Sequence, residues 1–120
     1  MAKTIDKVSV TGLKRAIEER DAETLAGFYA DDAVMRIIDQ NNPPSNPREI
    51  AGKAAIAAHY ADICGRAMTH RVEAGVADST HLAFTQSCAY PGGGRVFFSA
   101  MLELDDGKIA RQTVVQAWDG

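Results

Sequence analysis

The chain has 120 residues, 46% of them apolar and 24% charged, and a formal net charge of −3. That suits one domain, 1–120, with a single core, and argues against a disordered or fibrous protein. No Lys/Arg cluster stands ready to neutralise phosphates, which argues against nucleic acid as a partner, and no segment approaches the ~20 apolar residues of a membrane span.

The N-terminus lacks the basic start and apolar run of a secretory leader, so the expected setting is the cytoplasm. There Cys64 and Cys88 are expected as free thiols. No CxxC or HxxxH pair supplies metal-ligand spacing, and neither a metal nor a cofactor is expected.

Ser9 or Thr11 can cap a first helix running to Arg20, with Leu13, Ala16 and Ile17 as its apolar stripe. Asp21 is an N-cap for a second helix, Ala22 to Tyr29, whose stripe is Leu25, Phe28 and Tyr29. At Ala30-Asp31-Asp32 the pattern switches to a strand, Ala33 to Asp39, ending in a lone carboxylate. Gln40 to Pro47 is rich in Asn and Pro and must be a loop. A third helix starts at Asn46-Pro47 or at Gly52. The later start is preferred because Ile56, Tyr60 and Ile63 then share one stripe, and Gly65 ends it.

Beyond Gly65 the apolar period becomes two. Thr69 to Asp78, His81 to Tyr90, Arg95 to Leu104 and Lys108 to Trp118 read as strands. Asp78-Ser79-Thr80, Pro91 to Gly94 and Asp105-Asp106-Gly107 supply the turns. Helices first and an antiparallel meander after predict an α+β fold, with helices packed on one sheet face.

Asp39 is a candidate base, in a pocket where apolar Met35 and Ile37 would raise its pKa. Tyr29 and Tyr60 come from two helices expected to face the sheet, and buried phenols seek partners. Alternation puts Gln112, Val114, Gln116 and Trp118 on one face. A closed core would not favour so many amides, whereas a pocket holding water or a polar ligand would. His70 alternates with Val72, Ala74 and Val76, so it is expected to point inward as an acid or base working with Asp39. His59 lies off the helical stripe and His81 follows a turn, and both are expected to be exposed. The triple glycine Gly92 to Gly94 lacks a following Lys and Ser/Thr and is a hairpin tip, not a phosphate loop.

The order of elements, with Phe28-Tyr29-Ala30-Asp31-Asp32-Ala33, Gly52-Lys53-Ala54-Ala55-Ile56 through His59-Tyr60, and Asp106-Gly107-Lys108-Ile109, resembles the nuclear transport factor 2-like superfamily. That group includes the ketosteroid isomerases and SnoaL-like polyketide cyclases. The resemblance covers about Val8 to Trp118. It implies a cone: a curved antiparallel sheet wrapped on a long helix, with two further N-terminal helices. The open end would admit a small apolar organic ligand such as a steroid or polyketide.

Carried over from the isomerases, the general base falls at Ile37, with Asp39 two residues on and on the same face. The oxyanion-hole tyrosine falls at Leu13, and the neutral aspartic acid at Ala100 or Met101. Two supporting tyrosines match Tyr29 and Tyr60. The resemblance also puts Phe84, Gln86 and Cys88, and the Gln112 to Trp118 set, on the concave side. The implied function is cofactor-free isomerisation, cyclisation or dehydration, or else non-catalytic binding. If Phe98 faces the pocket, Phe97, Ser99 and Met101 face outward beside Thr113, Val115 and Ala117. An apolar outer face of this kind predicts a homodimer, as the resemblance also implies.

Overall fold

The computed structural model describes residues 7–119. These form three helices, α1 (Val10–Glu18), α2 (Ala22–Gly27) and α3 (Lys53–Cys64), and six strands. The strands are β1 (Tyr29–Ile38), β2 (Arg48–Ala51), β3 (Thr69–Ala77), β4 (His81–Ala89), β5 (Arg95–Asp105) and β6 (Lys108–Trp118). They make one sheet in the order β2-β1-β6-β5-β4-β3. Only the β1/β6 pair is parallel; the other four are antiparallel. The expected α+β architecture, a curved sheet wrapped on helices, is what forms.

Local chemistry sets the helix ends. The Ser9 hydroxyl accepts from Gly12 N at 3.0 Å, and Asp21 Oδ1 accepts from Thr24 N at 3.1 Å, each satisfying an otherwise free N–H of a first turn. Gly52 precedes α3 at φ 92, a conformation that favours glycine, and its N–H donates to Ala33 O at 2.7 Å. That bond fixes the start of α3 against β1, as the later of the two predicted starts requires.

Several boundaries differ from the sequence reading. The first helix ends at Glu18, because Arg20 adopts φ 55. Tyr29 belongs to β1, not to the second helix, so the change to strand comes ahead of the two aspartates. The β1/β6 register shifts between Tyr29 and Val34, which accommodates Ala30-Asp31-Asp32 within the strand. The loop after Asp39 is followed by the short edge strand β2, absent from the sequence reading. Four residues with one buried position, Ile50, are too few to show a period.

Curvature follows from what packs where. α1 lies on β3 at one edge of the sheet, α3 on β1 towards the other, and α2 joins α1 and α3. Gly75 of β3 lets α1 approach, since a Cβ there would lie 2.6 Å from Val10 Cγ1. A register shift between Val72 and Ala74 reverses the alternation of β3, so Val72 is buried while Val76 is 72% exposed. His70 and Val72 therefore face the cone, whereas Val76, expected inside, faces solvent.

The concave side is built from cross-strand rows. Met35, Gln112, Leu102 and Leu82 form one row; Ile37, Val114, Ala100 and Phe84 form the next. All eight are buried against Leu13, Ile17, Leu25 and Ile56 of the helices. Full burial of one such aliphatic side chain contributes roughly 1.5–3 kcal/mol. Two further rows, Gln116-Phe98-Gln86-Val72 and Trp118-Val96-Cys88-His70, continue toward the open end, where the helices no longer fill the space.

Candidate functional site

Those last two rows and α3 enclose a hollow of about 540 Å³. Gln86, Cys88, Phe98, Gln116, Trp118 and His70 form its sheet wall, His59 and Ile63 its helical wall, and Arg66 lines it from just past the end of α3. A narrow extension of about 50 Å³ runs inward past Tyr60 to Met35, Phe84 and Gln112. His59, His70, Gln86, Phe98 and Gln116 line both spaces and make the neck between them.

Beneath the inner end lies a chain of polar atoms. The Tyr29 hydroxyl donates to Gln112 Oε1 and lies 2.6 Å from the Tyr60 hydroxyl. Tyr29 has one proton, already given to the amide, so Tyr60 donates to Tyr29. Tyr60 then offers the cavity acceptor lone pairs only. Desolvation holds the Tyr29 phenol well above its usual pKa, with the Tyr60 phenol adding to the effect. Desolvation also pushes Tyr60 up to about 12, so both are neutral at pH 7. Tyr29 itself lines neither space; it stands one layer behind the wall.

A second cluster sits at the neck. Gln86 Nε2 lies 3.2 Å from His70 Nδ1 and 3.1 Å from Cys88 Sγ, and His70 Nδ1 lies 3.2 Å from the same sulfur. The opposite ring atom, His70 Nε2, is shut off from solvent and has no hydrogen-bond partner. A buried polar atom left unpaired costs about 1–3 kcal/mol. Burial, then the Arg20 charge, lowers the pKa of His70, and burial raises that of Cys88. The imidazole is thus neutral at pH 7 and the thiol keeps its proton.

Asp39 lies at the mouth, beyond the end of β1. Its Oδ1 accepts from Asn41 N, Asn42 N and Asn42 Nδ2, each at 2.9 Å. The Asn-rich loop therefore closes an Asx turn around the carboxylate and orients it. Asp62 and Asp119 also line the mouth, as do Arg48, Arg66 and Arg95. Asp62 and Arg66 pair at 2.6 Å. Three acids facing three guanidiniums leave no net charge.

His59 corrects the sequence reading, which placed it at the surface. It is half-buried, stacks edge-on against Tyr60 at 5.6 Å between ring centroids, and lines the hollow. The unforeseen β2 explains this, because it covers the flank of α3 on which His59 lies. Burial first and Arg48 second lower its pKa to about 4. Met68 and Arg66 also reach the wall; neither falls in an alternating or helical pattern that would mark it in the sequence.

The positions carried over from the isomerase resemblance hold apolar groups. Leu13 and Ile37 are core residues. Of the two alternatives for the neutral aspartic acid, Ala100 is 4% exposed on the concave side and Met101 is 51% exposed on the outer face. Among the described residues no three His, Cys, Asp or Glu side chains group as metal ligands, and no helix is long and apolar enough to cross a membrane.

The SnoaL-like domain family matches residues 10–112. An NTF-2 like protein of unknown function from Burkholderia xenovorans LB400 superposes with a TM-score of 0.75 at 18% identity, covering 90% of this chain and 79% of that one. A candidate ketosteroid isomerase from Kribbella flavida DSM 17836 gives 0.69 at 20% identity, covering 92% and 74%. A loop-truncated variant of IdmH gives 0.66 at 22% identity, covering 89% and 88%. No curated protein matches the chain.

Proposed function

We propose a function from one premise: the chain belongs to the SnoaL-like domain family, within the nuclear transport factor 2-like superfamily. In our reading the cone binds a small, neutral, largely apolar organic molecule bearing a carbonyl or hydroxyl, and isomerase- or cyclase-type proton transfer is the chemistry that fits it. The observation that carries this is the hollow of about 540 Å³ lined by amides, an imidazole and aromatic faces. Its size suits a molecule of two to four rings, and its balanced mouth favours no charged group.

In the catalytic form of this reading, Asp39 takes the proton from a carbon beside the ligand carbonyl. The C–H bond breaks, an enolic oxygen forms, and the same proton returns to another carbon. Such a step needs no cofactor. The turn around Oδ1 holds the carboxylate in place, and the neck amide of Gln116 faces the ligand oxygen. A non-catalytic binding module is the second reading. It is favoured by Leu13 and Ala100, which leave the isomerase oxyanion hole without its acid groups, and by Ile37, which stands where the isomerase base would fall.

A thermal-shift screen with neutral steroid, polyketide and terpenoid ketones, followed by incubation of each binder in D₂O, separates these readings. Binding with protein-dependent deuterium uptake beside the carbonyl supports proton transfer. Binding without uptake supports the module, and no binding across the panel overturns both.

We further propose a homodimer through the outer sheet face, where Phe97, Met101 and Val115 stand exposed on adjacent strands. The unpaired thiols Cys64 and Cys88 suit a reducing compartment such as the cytoplasm.

A further inference from the structure

Gln116 and Trp118 stand two apart on β6, and alternation turns both toward the hollow. Trp118 Nε1–H donates to Gln116 Oε1 at 3.3 Å. An indole nitrogen can only donate, so the amide atom facing it is the oxygen, and chemistry tells the two ends of the amide apart. The NH₂ then points away from the indole. Among the described residues that are not exposed, His70 Nε2 is the only side-chain nitrogen or oxygen both closed to solvent and unpartnered. Gln116 is half-buried, and among the described residues its side chain bonds only to Trp118, so its Nε2 is open. The spaces that Gln116 borders are the hollow and its inner extension, and the amide N–H groups face them.

The acid at the mouth is its neighbour across the sheet. In the parallel β1/β6 ladder Ile38 pairs with Val115, so the next step sets Asp39 beside Gln116, and both border the hollow. We propose that Trp118 is a positioning residue: it holds the Gln116 amide with its NH₂ toward the ligand, so the cone selects a molecule presenting an acceptor oxygen there, a ketone or ester carbonyl. The inference rests on the reading of the cone as a ligand site and deepens it by naming the recognised group and the residue that sets its polarity. Turned the other way, the amide would offer its oxygen to the cone, repel a carbonyl and set its NH₂ against the indole N–H. Only one orientation satisfies both groups. Neither side chain gives or takes a proton. A donor at the carbonyl oxygen stabilises the charge that builds there when the adjacent C–H bond breaks.

Three measurements test it. The chain has one tryptophan, so its ¹H–¹⁵N spectrum carries a single indole signal. Gln116→Met, close in shape but without the amide, should move that signal upfield and speed its exchange with water. An unmoved signal overturns the proposal without any ligand. The second uses neutral probe pairs differing only in a carbonyl: 1-tetralone and tetralin, a steroid 17-ketone and its parent hydrocarbon. The ketone of a binding pair should bind more tightly. Gln116→Met should weaken it about tenfold and leave the hydrocarbon unchanged. The third uses Trp118→Phe, which keeps an aromatic ring and removes the N–H. It should weaken the ketone about threefold, and the infrared stretch of the bound carbonyl should rise toward its value in hydrocarbon solvent. Undiminished ketone affinity in Gln116→Met overturns the donor, and an unchanged affinity and stretch in Trp118→Phe overturn the positioning role; both results spare the ligand site. Failure of every probe to bind the unaltered protein overturns the ligand-site reading, and the inference with it.

Discussion

The Tyr60 hydroxyl stands 2.6 Å from the Tyr29 hydroxyl, which donates onward to Gln112, so α3, β1 and β6 meet in one buried line of polar atoms. The direction of donation makes the two phenols unequal. Tyr29→Phe leaves both the Gln112 carbonyl and the Tyr60 O–H unpaired and should destabilise by about 2–3 kcal/mol. Tyr60→Phe spares the Tyr29–Gln112 bond and should cost about 1 kcal/mol. Urea unfolding of the two variants checks this; equal losses would reverse the assigned direction.

The same line predicts alkaline lability. Both phenols hold their protons more tightly in the folded chain than in the unfolded one. Their contribution is thus fully present below pH 10, the unfolded value, and is lost as pH rises through about 12 for Tyr60. Tyrosinate absorbance should show Tyr29 and Tyr60 ionising only as the fold is lost. Ionisation of both near pH 10 in the folded chain would contradict the buried network.

His59 predicts acid lability with the opposite sign. Its folded pKa, about 4, lies below the unfolded 6.5. The stability tied to the neutral ring is present above pH 6.5 and is lost as pH falls toward 4. With solvent screening of a half-buried ring, the loss is about 1 kcal/mol. The unfolding midpoint of His59→Gln should depend less on pH across this window than that of the unaltered protein. Parallel curves would count against a buried His59.

Asp39→Asn should abolish proton transfer without unfolding the chain. The substituted amide keeps an oxygen to accept from Asn41 N and Asn42 N, so the turn closes as before, but no carboxylate remains to take a proton. The readout is deuterium uptake into a bound ketone beside an unchanged melting temperature. Undiminished uptake removes Asp39 from the reaction.

Phe97→Glu should convert a dimer to a monomer. Phe97 pairs across the sheet with Ala117, and Met101 with Thr113, so a carboxylate at position 97 would be buried among apolar neighbours in the assembled face. Sedimentation of the variant gives the answer. Unaltered protein that is already monomeric, or a variant that stays dimeric, rules out this interface.

The helices and most strands were legible in the sequence because their signals are local. Leu13, Ala16 and Ile17 recur at helical spacing, Ser9 and Asp21 cap, and His81 to Ala89 alternates residue by residue as its burial does. Alternation put Gln112, Gln116 and Trp118 on one face of β6, the resemblance turned that face and Gln86 inward, and all four line the cone or its inner extension. The local pattern failed on β3, where one register shift sends Val76 outward. It failed again at Arg48–Ala51, a strand too short to have a period.

The sequence by itself determined which residues could share a face, because the helical and strand periods are properties of the backbone. Only the tertiary structure decided what each face meets. β1 pairs with β6, whose residues lie more than seventy positions away, and this brings Tyr29 to Gln112. β2 folds back over α3 and takes His59 from solvent. His70 meets Cys88 and Gln86 across a strand pair, while its Nε2 is buried without a partner. Burial, and with it protonation and hydrogen-bonding direction, is imposed by neighbours from distant parts of the chain, and no local pattern encodes them.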